Sequence, residues 1–225
     1  MNVDAAHAYA ELVGRRRSVR AYLPQPLPEA LIRGILATAQ QAPSNCNVQP
    51  WQVHIVSGAA RERLAAAMYA EGEAGRMTLD LPRVGHYPGK YRERQVGAAK
   101  ALFAATGVGR DDPAGRKQSM LRNYSMFDAP HAAFIFMPRA FGLREAVDVG
   151  IYAQTFMLGA SAHGVASCAQ GALTHHAAIL HRELAVAEDL LCMLGISFGW
   201  ADEAHPANGV RTGRAPLEEA AHFHT

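Results

Sequence analysis

The chain is poor in cysteine and has no long uninterrupted apolar run. Its three cysteines are widely spaced and odd in number, which argues against a disulfide framework and favours a reducing compartment, with the cytoplasm as the default. They are Cys46, Cys168 and Cys192. The longest apolar stretch, residues 146–165, is interrupted by polar side chains, so it predicts a buried helix and no membrane span. Residues 1–14 lack a basic leader followed by an apolar run, and no secretory signal is expected.

Excess charge of one sign is also missing. The chain has 22 lysines and arginines against 20 acidic residues, a net charge of +2. Without a lysine-rich tail or a basic stripe interleaved with aromatics, nucleic acid is not an expected partner. The histidines at residues 175–176 and 222–224 have no acidic or cysteine partners at ligand spacing, so we predict no metal site. No Gly-x-Gly-x-x-Gly follows a predicted strand, which disfavours a Rossmann site.

The composition that remains is ordinary for a globular protein, and the absence of linkers and repeats predicts one domain over residues 1–225. Apolar spacing predicts helices at residues 28–41, 59–75, 93–106, 113–127, 145–163 and 175–184. Runs of β-forming and apolar residues predict strands at residues 51–56, 132–137 and 190–198, with a turn at residues 167–171.

Three segments depart from this regular pattern. Residues 76–92 have no periodicity and predict a long excursion of the kind that covers sites. Residues 145–163 are apolar on nearly every side, so this helix is expected to be buried all round, in a large core or against another subunit. After residue 199 the chain has little to fold on locally, and we expect it to pack against something else.

Four arginines and a serine hydroxyl occur within residues 15–20. Guanidinium groups meet phosphate with forked, charge-assisted hydrogen bonds, and a serine hydroxyl adds a neutral donor. Taken alone, an ordinary solvated charge run explains this cluster equally well. Two later segments favour the functional interpretation: residues 42–51 carry many amide side chains between a helix and a strand, and residues 208–214 bring two more arginines in an extended setting.

Four motifs occur in order along the chain. They are Arg-Arg-Ser-Val-Arg at residues 16–20, Pro-Ser-x-x-Asn-x-Gln-Pro-Trp at 43–51, Cys-Ala-Gln-Gly-Ala-Leu at 168–173 and Asn-x-x-Arg-Thr-x-Arg at 208–214. Together they resemble the FMN-dependent nitroreductase family, closest to its nitrobenzoate and nitroaromatic reductases. The resemblance covers residues 9–223 and includes the segments at 87–94 and 116–123.

The resemblance implies an α+β fold with a central, mostly antiparallel sheet flanked by helices and an extended C-terminal arm that packs on the partner subunit. It implies a homodimer with shared active sites in which NADPH or NADH reduces FMN at N5 and a nitroaromatic or quinone-type acceptor is then reduced, by a ping-pong mechanism. Dehalogenation, dehydrogenation and flavin fragmentation on the same fold, and a non-catalytic flavin-binding protein, remain alternatives.

The resemblance also implies which residues bind FMN. Arg16, Ser18 and Arg214, with Arg17 and Arg211 nearby, would hold the phosphate, and Arg20 would tune the flavin beside N1 and O2. From the partner subunit the flavin would be approached by Pro43, Ser44, Asn45, Asn47 and Gln49. Backbone N–H groups at Gln170 and Gly171 would lie near N5 and O4. No residue is assigned a catalytic role, because the chemistry takes place on the cofactor.

Several of these assignments have structural alternatives. Gln49 serves equally well as an amide that braces its loop, and Asn123 is as much a helix-surface residue as a contact of the flavin pyrimidine. Gln170 stands where many family members have glutamate, so no argument there can require a carboxylate. Cys168 has no second cysteine nearby, and we expect it to fill space in the core.

An excursion over the active site is expected at about residues 76–126. By the resemblance, Tyr87, Tyr91 and Arg94 would line the pocket of the small aromatic acceptor. An arginine in that pocket would favour an acceptor that carries a carboxylate.

Overall fold

The computed structural model describes residues 3–82 and 85–224, which are organised around a four-stranded antiparallel sheet. In sheet order the strands are β1 (Gln52–Ser57), β2 (His131–Pro138), β4 (Leu190–Gly199) and β3 (Ala166–Gln170). The near-continuous apolar sequence of β2 explains its central place, since a central strand is covered on both faces. The predicted α+β class with a mostly antiparallel sheet is confirmed.

Helices cover both faces of the sheet. Within the described residues they are α1 (Val3–Arg15), α2 (Glu29–Ala39), α3 (Gly58–Glu73), α4 (Gly89–Ala105), α5 (Pro113–Leu121), α6 (Leu143–Ala162) and α7 (Ala177–Leu184). Short 3₁₀ turns connect several of these elements. They are Asn45–Asn47, Met126–Asp128, Gly171–His175, Pro206–Gly209 and Leu217–Glu219.

Alternate residues of β2 supply two separate cores, as expected for a strand whose side chains point to opposite faces. Ile135 packs in the core that α2 and α6 build, with Phe156 as a central side chain. Phe134 belongs to the other core, where Leu64 of α3 is buried. Burying each of these large side chains stabilises the fold by about 1.5–3 kcal/mol relative to leaving it exposed. The sheet is therefore a firm platform for the segments that run along its edge.

The predicted helices and strands are present, with shifts of a few residues at their ends, and three details were wrong. The predicted turn at residues 167–171 is mostly strand β3, which forms because a short run of small residues pairs with β4 on one side and with Ser18 on the other. The helix predicted at 113–127 ends at Leu121, and residues 126–128, which all have positive φ, could not have continued it. The helix α4 begins at Gly89, inside the predicted excursion.

The helix at residues 145–163 was expected to be buried all round, in a large core or against another subunit, and contacts within this chain bury only part of its surface. One side of α6 packs against α2 and the sheet. On another side the apolar residues Leu143, Val147 and Ile151 are 88%, 63% and 37% exposed. Their spacing of four residues places them along one stripe of the helix.

The chain after β4 runs beside the segment around Tyr22. Tyr22 and Ala201 form an antiparallel bridge, and the turn Pro206–Gly209 contacts α4. The C-terminal tail therefore makes contacts within its own chain. None of the helices in the described residues has both the length and the apolar character needed to cross a membrane.

Candidate functional site

Two distant parts of the sequence meet around a cleft of about 570 Å³. One wall is formed by residues 13–20 and the other by residues 210–214, with Gln154 of α6 between them. The residues with basic or hydroxyl side chains that line it are Arg16, Arg17, Ser18, Arg20, Arg211, Thr212 and Arg214. We call this site the arginine cleft. It brings together the residues that the first and fourth motifs predicted.

Backbone pairing at the sheet edge fixes the first wall. Ser18 bridges Ser167 of β3, and the Val19 N–H donates to the Ser167 carbonyl at 3.1 Å. Because side chains alternate along extended backbone, Val19 is buried while Ser18 and Arg20 face the cleft. The local sequence Ser-Val-Arg therefore presents a hydroxyl and a cation from a fixed backbone.

Asn208 joins the two walls and was not predicted as a site residue. Its Oδ1 accepts the backbone N–H of Arg20 at 2.7 Å, and its amide donates to the carbonyls of Ala21 and Asp202, both at 2.8 Å. The side chain is only 2% exposed, so each of these bonds is shielded from water. The signal in the sequence was its place at the head of the fourth motif.

The arginines of the cleft differ in how their charge is balanced. Arg17 forms an ion pair with Glu203 on the side away from the cleft. Among the described residues, no acidic side chain pairs with Arg16, Arg20, Arg211 or Arg214. Several unpaired guanidinium groups around one cleft repel each other, and an anion with several acceptor oxygens would relieve that repulsion. The donor set therefore fits a phosphate group.

Cys168 lies beneath this cleft, in a small core with Val19 and Tyr22. Burial raises the pKa of the Cys168 thiol, although the nearby Arg20, Ser18 and Arg16 act in the opposite direction. A raised pKa keeps the sulfur protonated and unreactive at neutral pH. The side chain fills space, as the sequence predicted.

The amide-rich loop lies elsewhere on the chain. Pro43, Ser44, Asn45, Asn47 and Gln49 do not line the arginine cleft of their own chain. The loop is anchored to α6, because the Asn45 N–H donates to Asp148 Oδ2 at 3.1 Å. Cys46, Asn47 and Gln49 have φ values of 48°, 56° and 49°, which are unusual for residues other than glycine. Such strain costs about 1–3 kcal/mol per residue and is concentrated at functional sites.

Contacts within the loop account for Gln49. Its backbone N–H donates to Ser44 Oγ at 2.9 Å, and its side-chain amide donates to the Asn47 carbonyl at 3.2 Å. Its Oε1 accepts from Gln40, the residue after α2, at 3.1 Å. Within this chain Gln49 therefore braces its loop, which is the role weighed above against a contact with the flavin.

The end of β3 forms a second polar site. The Gln170 side-chain amide donates to the carbonyl and Oδ1 of Asn123, at 3.1 and 3.2 Å, and its Oε1 accepts the Ser197 hydroxyl. The buried Gln170 side chain is therefore fully occupied by protein groups. The next residue, Gly171, is exposed and has open space where a Cβ would point. Another molecule can approach the backbone at this glycine.

The residues predicted for the acceptor pocket lie on and beside α4, which has no buried residue. Tyr87 and Tyr91 are exposed, and Lys90 and Arg94 both bind Glu219, at 2.9 and 2.7 Å. We call Tyr87, Lys90, Tyr91 and Arg94 the α4 face. The Lys90 bond and charge, followed by those of Arg94, hold the pKa of Glu219 below its usual value. Glu219 was not predicted from the sequence, because only the folded chain brings it to α4.

Comparison with known proteins shows similarity along nearly the whole chain. The sequence profile described as the nitroreductase family matches residues 13–200. The chain is 43% identical to the nitroreductase NfnB of Mycolicibacterium smegmatis over 98% of this chain and 94% of that protein. It is 30% identical to a 4-nitrobenzoate reductase of Nocardioides sp., covering 98% and 92% of the two chains.

A solved structure is also similar over the whole chain. The crystal structure of the FMN-dependent nitroreductase NfnB from Mycobacterium smegmatis in complex with NADPH superposes with a TM-score of 0.94 at 42% identity. The match covers 98% of this chain and 100% of that one. The resemblance predicted from the four motifs is confirmed.

Proposed function

The chain belongs to the nitroreductase family, and we propose that it is an FMN-dependent oxidoreductase that transfers electrons from NADPH or NADH to nitroaromatic or quinone-type acceptors. The arginine cleft is the observation that carries this proposal, because its unpaired cations and the Ser18 hydroxyl match the phosphate of FMN. The similar structure is of an FMN-dependent enzyme with NADPH bound. We propose that residues 1–225 form one catalytic domain.

We assign the phosphate to Arg16, Ser18 and Arg214, with Arg211 beside them. Arg17 contributes less to phosphate binding, because its guanidinium is already paired with Glu203. Arg20 is assigned to the N1 and O2 edge of the flavin, where a fixed cation stabilises the charge that reduction places there. Its own backbone is held by Asn208.

FMN, when bound, would supply the redox chemistry, namely hydride transfer from the nicotinamide at N5 and two-electron reduction of the acceptor in a ping-pong cycle. The protein's part is to bind and orient. The backbone N–H groups of Gln170 and Gly171 would serve the N5 and O4 side of the flavin, and the missing side chain at Gly171 leaves room for a flat ring. Asn123 helps indirectly by accepting from Gln170. Water supplies the protons, so no acidic side chain is required.

We propose that the second wall of each flavin site comes from another copy of the chain. The loop with Pro43, Ser44, Asn45 and Asn47 is strained but does not reach its own cleft, and Gln49 holds it in shape. The exposed stripe of α6 offers an apolar surface for a homodimer. Leu217 and Phe223 of the C-terminal arm are also exposed and offer further apolar contacts for a partner subunit. The buried, unpaired Cys168 and Cys192 suit the reducing cytoplasm.

We also propose that the α4 face lines the acceptor space. Its two exposed tyrosines suit a flat aromatic molecule, and Arg94 suits an acceptor with a carboxylate. One relative in the comparison is a 4-nitrobenzoate reductase. In this chain Glu219 already binds Arg94, so a charged acceptor has to compete with it.

A spectrum and one kinetic experiment test the proposed function. Purified protein, reconstituted with FMN where needed, should show a flavin absorbance band. Stopped-flow mixing with NADPH or NADH should bleach the band, and nitrofurazone or menadione should restore it. A colourless protein that does not bind added FMN overturns the proposal. A bound flavin that is not bleached identifies a flavin-binding protein without this activity.

Mixed dimers test whether the sites are shared. Arg20→Met and Asn47→Ala should each impair activity as pure dimers. In a refolded equal mixture, half of the dimers are hybrids with one intact site, so activity should return to about a quarter of wild type. If both residues served the same chain's site, the mixture would show no recovery. Wild-type protein that sediments as a monomer would also contradict the shared site.

A further inference from the structure

Arg122 follows helix α5 and contacts the extended segment that carries Arg20. Its Nη2 donates to the backbone carbonyl of Arg20 at 3.1 Å. Asn208 accepts the N–H of the same residue at 2.7 Å. The two backbone polar groups of Arg20 are therefore held by side chains that lie 102 and 188 residues away in the sequence. Holding both groups restricts how the residue can rotate.

A strained turn fixes the position of Arg122 itself. Met126, Phe127 and Asp128 have φ values of 59°, 54° and 64°, a left-handed run without glycine. The Arg122 carbonyl accepts the Phe127 N–H at 2.9 Å, and its guanidinium lies 5.9 Å from the Phe127 ring centroid. The Phe127 ring is buried in the small core under Arg20. A turn this costly persists only where its surroundings enforce it.

The charge of Arg122 is only partly balanced. Asp128 Oδ2 lies 3.5 Å from its Nη2, and the Asp128 side chain is 67% exposed while that of Arg122 is 27% exposed. The well-hydrated carboxylate is a weak counter-charge. Arg122 therefore adds a half-buried cation directly behind Arg20.

We propose that Arg122 is a positioning residue for Arg20 and that its charge favours the reduced flavin. The inference rests on the proposed function, since Arg20 acts there at the edge of FMN where reduction places negative charge. Removing the cation behind Arg20 should disfavour reduction, and removing its counter-charge should favour reduction. Arg122 and Asp128 should thus shift the flavin potential in opposite directions.

The experiment measures the two-electron midpoint potential of bound FMN against a reference dye. For Arg122→Met we expect the preference for reduced flavin to fall about tenfold, which lowers the midpoint potential of this two-electron couple by ~30 mV. Arg122→Lys keeps the charge and should recover more than half of this shift. Asp128→Asn should increase the preference for reduced flavin about threefold, which raises the midpoint potential by ~15 mV.

Arg33→Met is the matched control, because it also removes one arginine from one ion pair, with Glu29. Arg33 lies on α2 near β1, at the sheet edge opposite β3 and the arginine cleft. The midpoint potential of FMN bound to Arg33→Met should therefore stay at the wild-type value. A wild-type potential in Arg122→Met, or an equal shift in Arg33→Met, overturns the inference. If Arg122→Met fails to retain FMN, an unchanged or lowered potential in Asp128→Asn overturns it. Wild-type protein that binds no FMN overturns the proposed function instead, and this inference falls with it.

Discussion

The arginine cleft and the α4 face are built in different ways. The cleft stands on the edge of a buried sheet, and Asn208 and Arg122 hold the backbone of one of its arginines on both sides. The α4 face stands on a helix with no buried residue, and two exposed ion pairs to Glu219 join it to the C-terminal tail. A cofactor that remains bound suits a preorganised site, whereas acceptors that come and go suit a more adaptable surface.

Asn208→Ala tests how rigidly the cleft is held, and we expect it to lower the unfolding free energy more than the other variants below. It leaves the Arg20 N–H without an acceptor and removes one of the two hydrogen bonds to each of the carbonyls of Ala21 and Asp202, which should lower the free energy of unfolding by about 3 kcal/mol. Urea denaturation of the FMN-free protein measures it. Asn208→Asp keeps the acceptor for Arg20 and should lose less. A loss below about 1 kcal/mol would mean that the cleft is not rigidly held.

Asp80→Asn tests the point where the excursion joins the sheet. Asp80 accepts the Cys192 N–H at 2.9 Å and lies 3.0 Å from Arg139 and 3.2 Å from His181, with a side chain only 8% exposed. Losing the charge of this nearly buried carboxylate should cost about 2 kcal/mol of unfolding free energy. The same variant should leave FMN affinity unchanged. A weaker FMN affinity would show that the excursion and the cleft are coupled.

The difference in unfolding free energy between wild type and Asp80→Asn should depend on pH, because the pKa of Asp80 is shifted in the folded protein. Burial raises this pKa, but the bond from the Cys192 N–H and those from Arg139 and His181 outweigh burial and leave it below its usual value. The unfolded carboxyl then binds protons before the folded one does, so the stabilisation is complete above about pH 4 and is lost as pH falls through the folded pKa. Unfolding free energies of wild type and Asp80→Asn should therefore converge in acid. A gap that widens in acid would contradict the assignment.

Glu219→Gln should have a smaller effect, confined to the α4 face. Freeing Lys90 and Arg94 should raise kcat/KM for 4-nitrobenzoate relative to nitrobenzene by about two- to fivefold, the range expected for exposed ion pairs. Glu218→Gln is the control, because the neighbouring carboxylate has no ion pair in the described residues. Arg94→Ala should lower the same ratio. An unchanged ratio in both Glu219→Gln and Arg94→Ala would remove the α4 face from the acceptor pocket.

The sequence predicted elements whose residues carry their own pattern. β2 and β4 are strongly apolar, and α2 has apolar residues at helical spacing, so local chemistry was sufficient. β3 was missed because Ala, Ser, Cys, Ala and Gln carry little β-propensity, and pairing with two neighbours makes them a strand.

The same distinction applies to the candidate site. The arginines were found because they form dense local motifs, and the fold then brought the motifs together. The roles of Asn208, Arg122 and Glu219 depend on contacts across 100 or more residues, which no local pattern encodes. The exposed stripe of α6 was expected to be covered by a core or another subunit, and this chain alone leaves it open.

The central claim is that the arginine cleft binds the phosphate of FMN, and comparing FMN with riboflavin tests it most directly. Two or more charge-assisted hydrogen bonds at about 1.5–3 kcal/mol each predict that the apoprotein binds FMN at least about 100-fold more tightly than riboflavin in a fluorescence titration. Arg16→Met and Arg214→Met should narrow that preference more than Arg17→Met, whose arginine is paired with Glu203. Equal affinities for the two flavins in the wild-type protein would contradict the account.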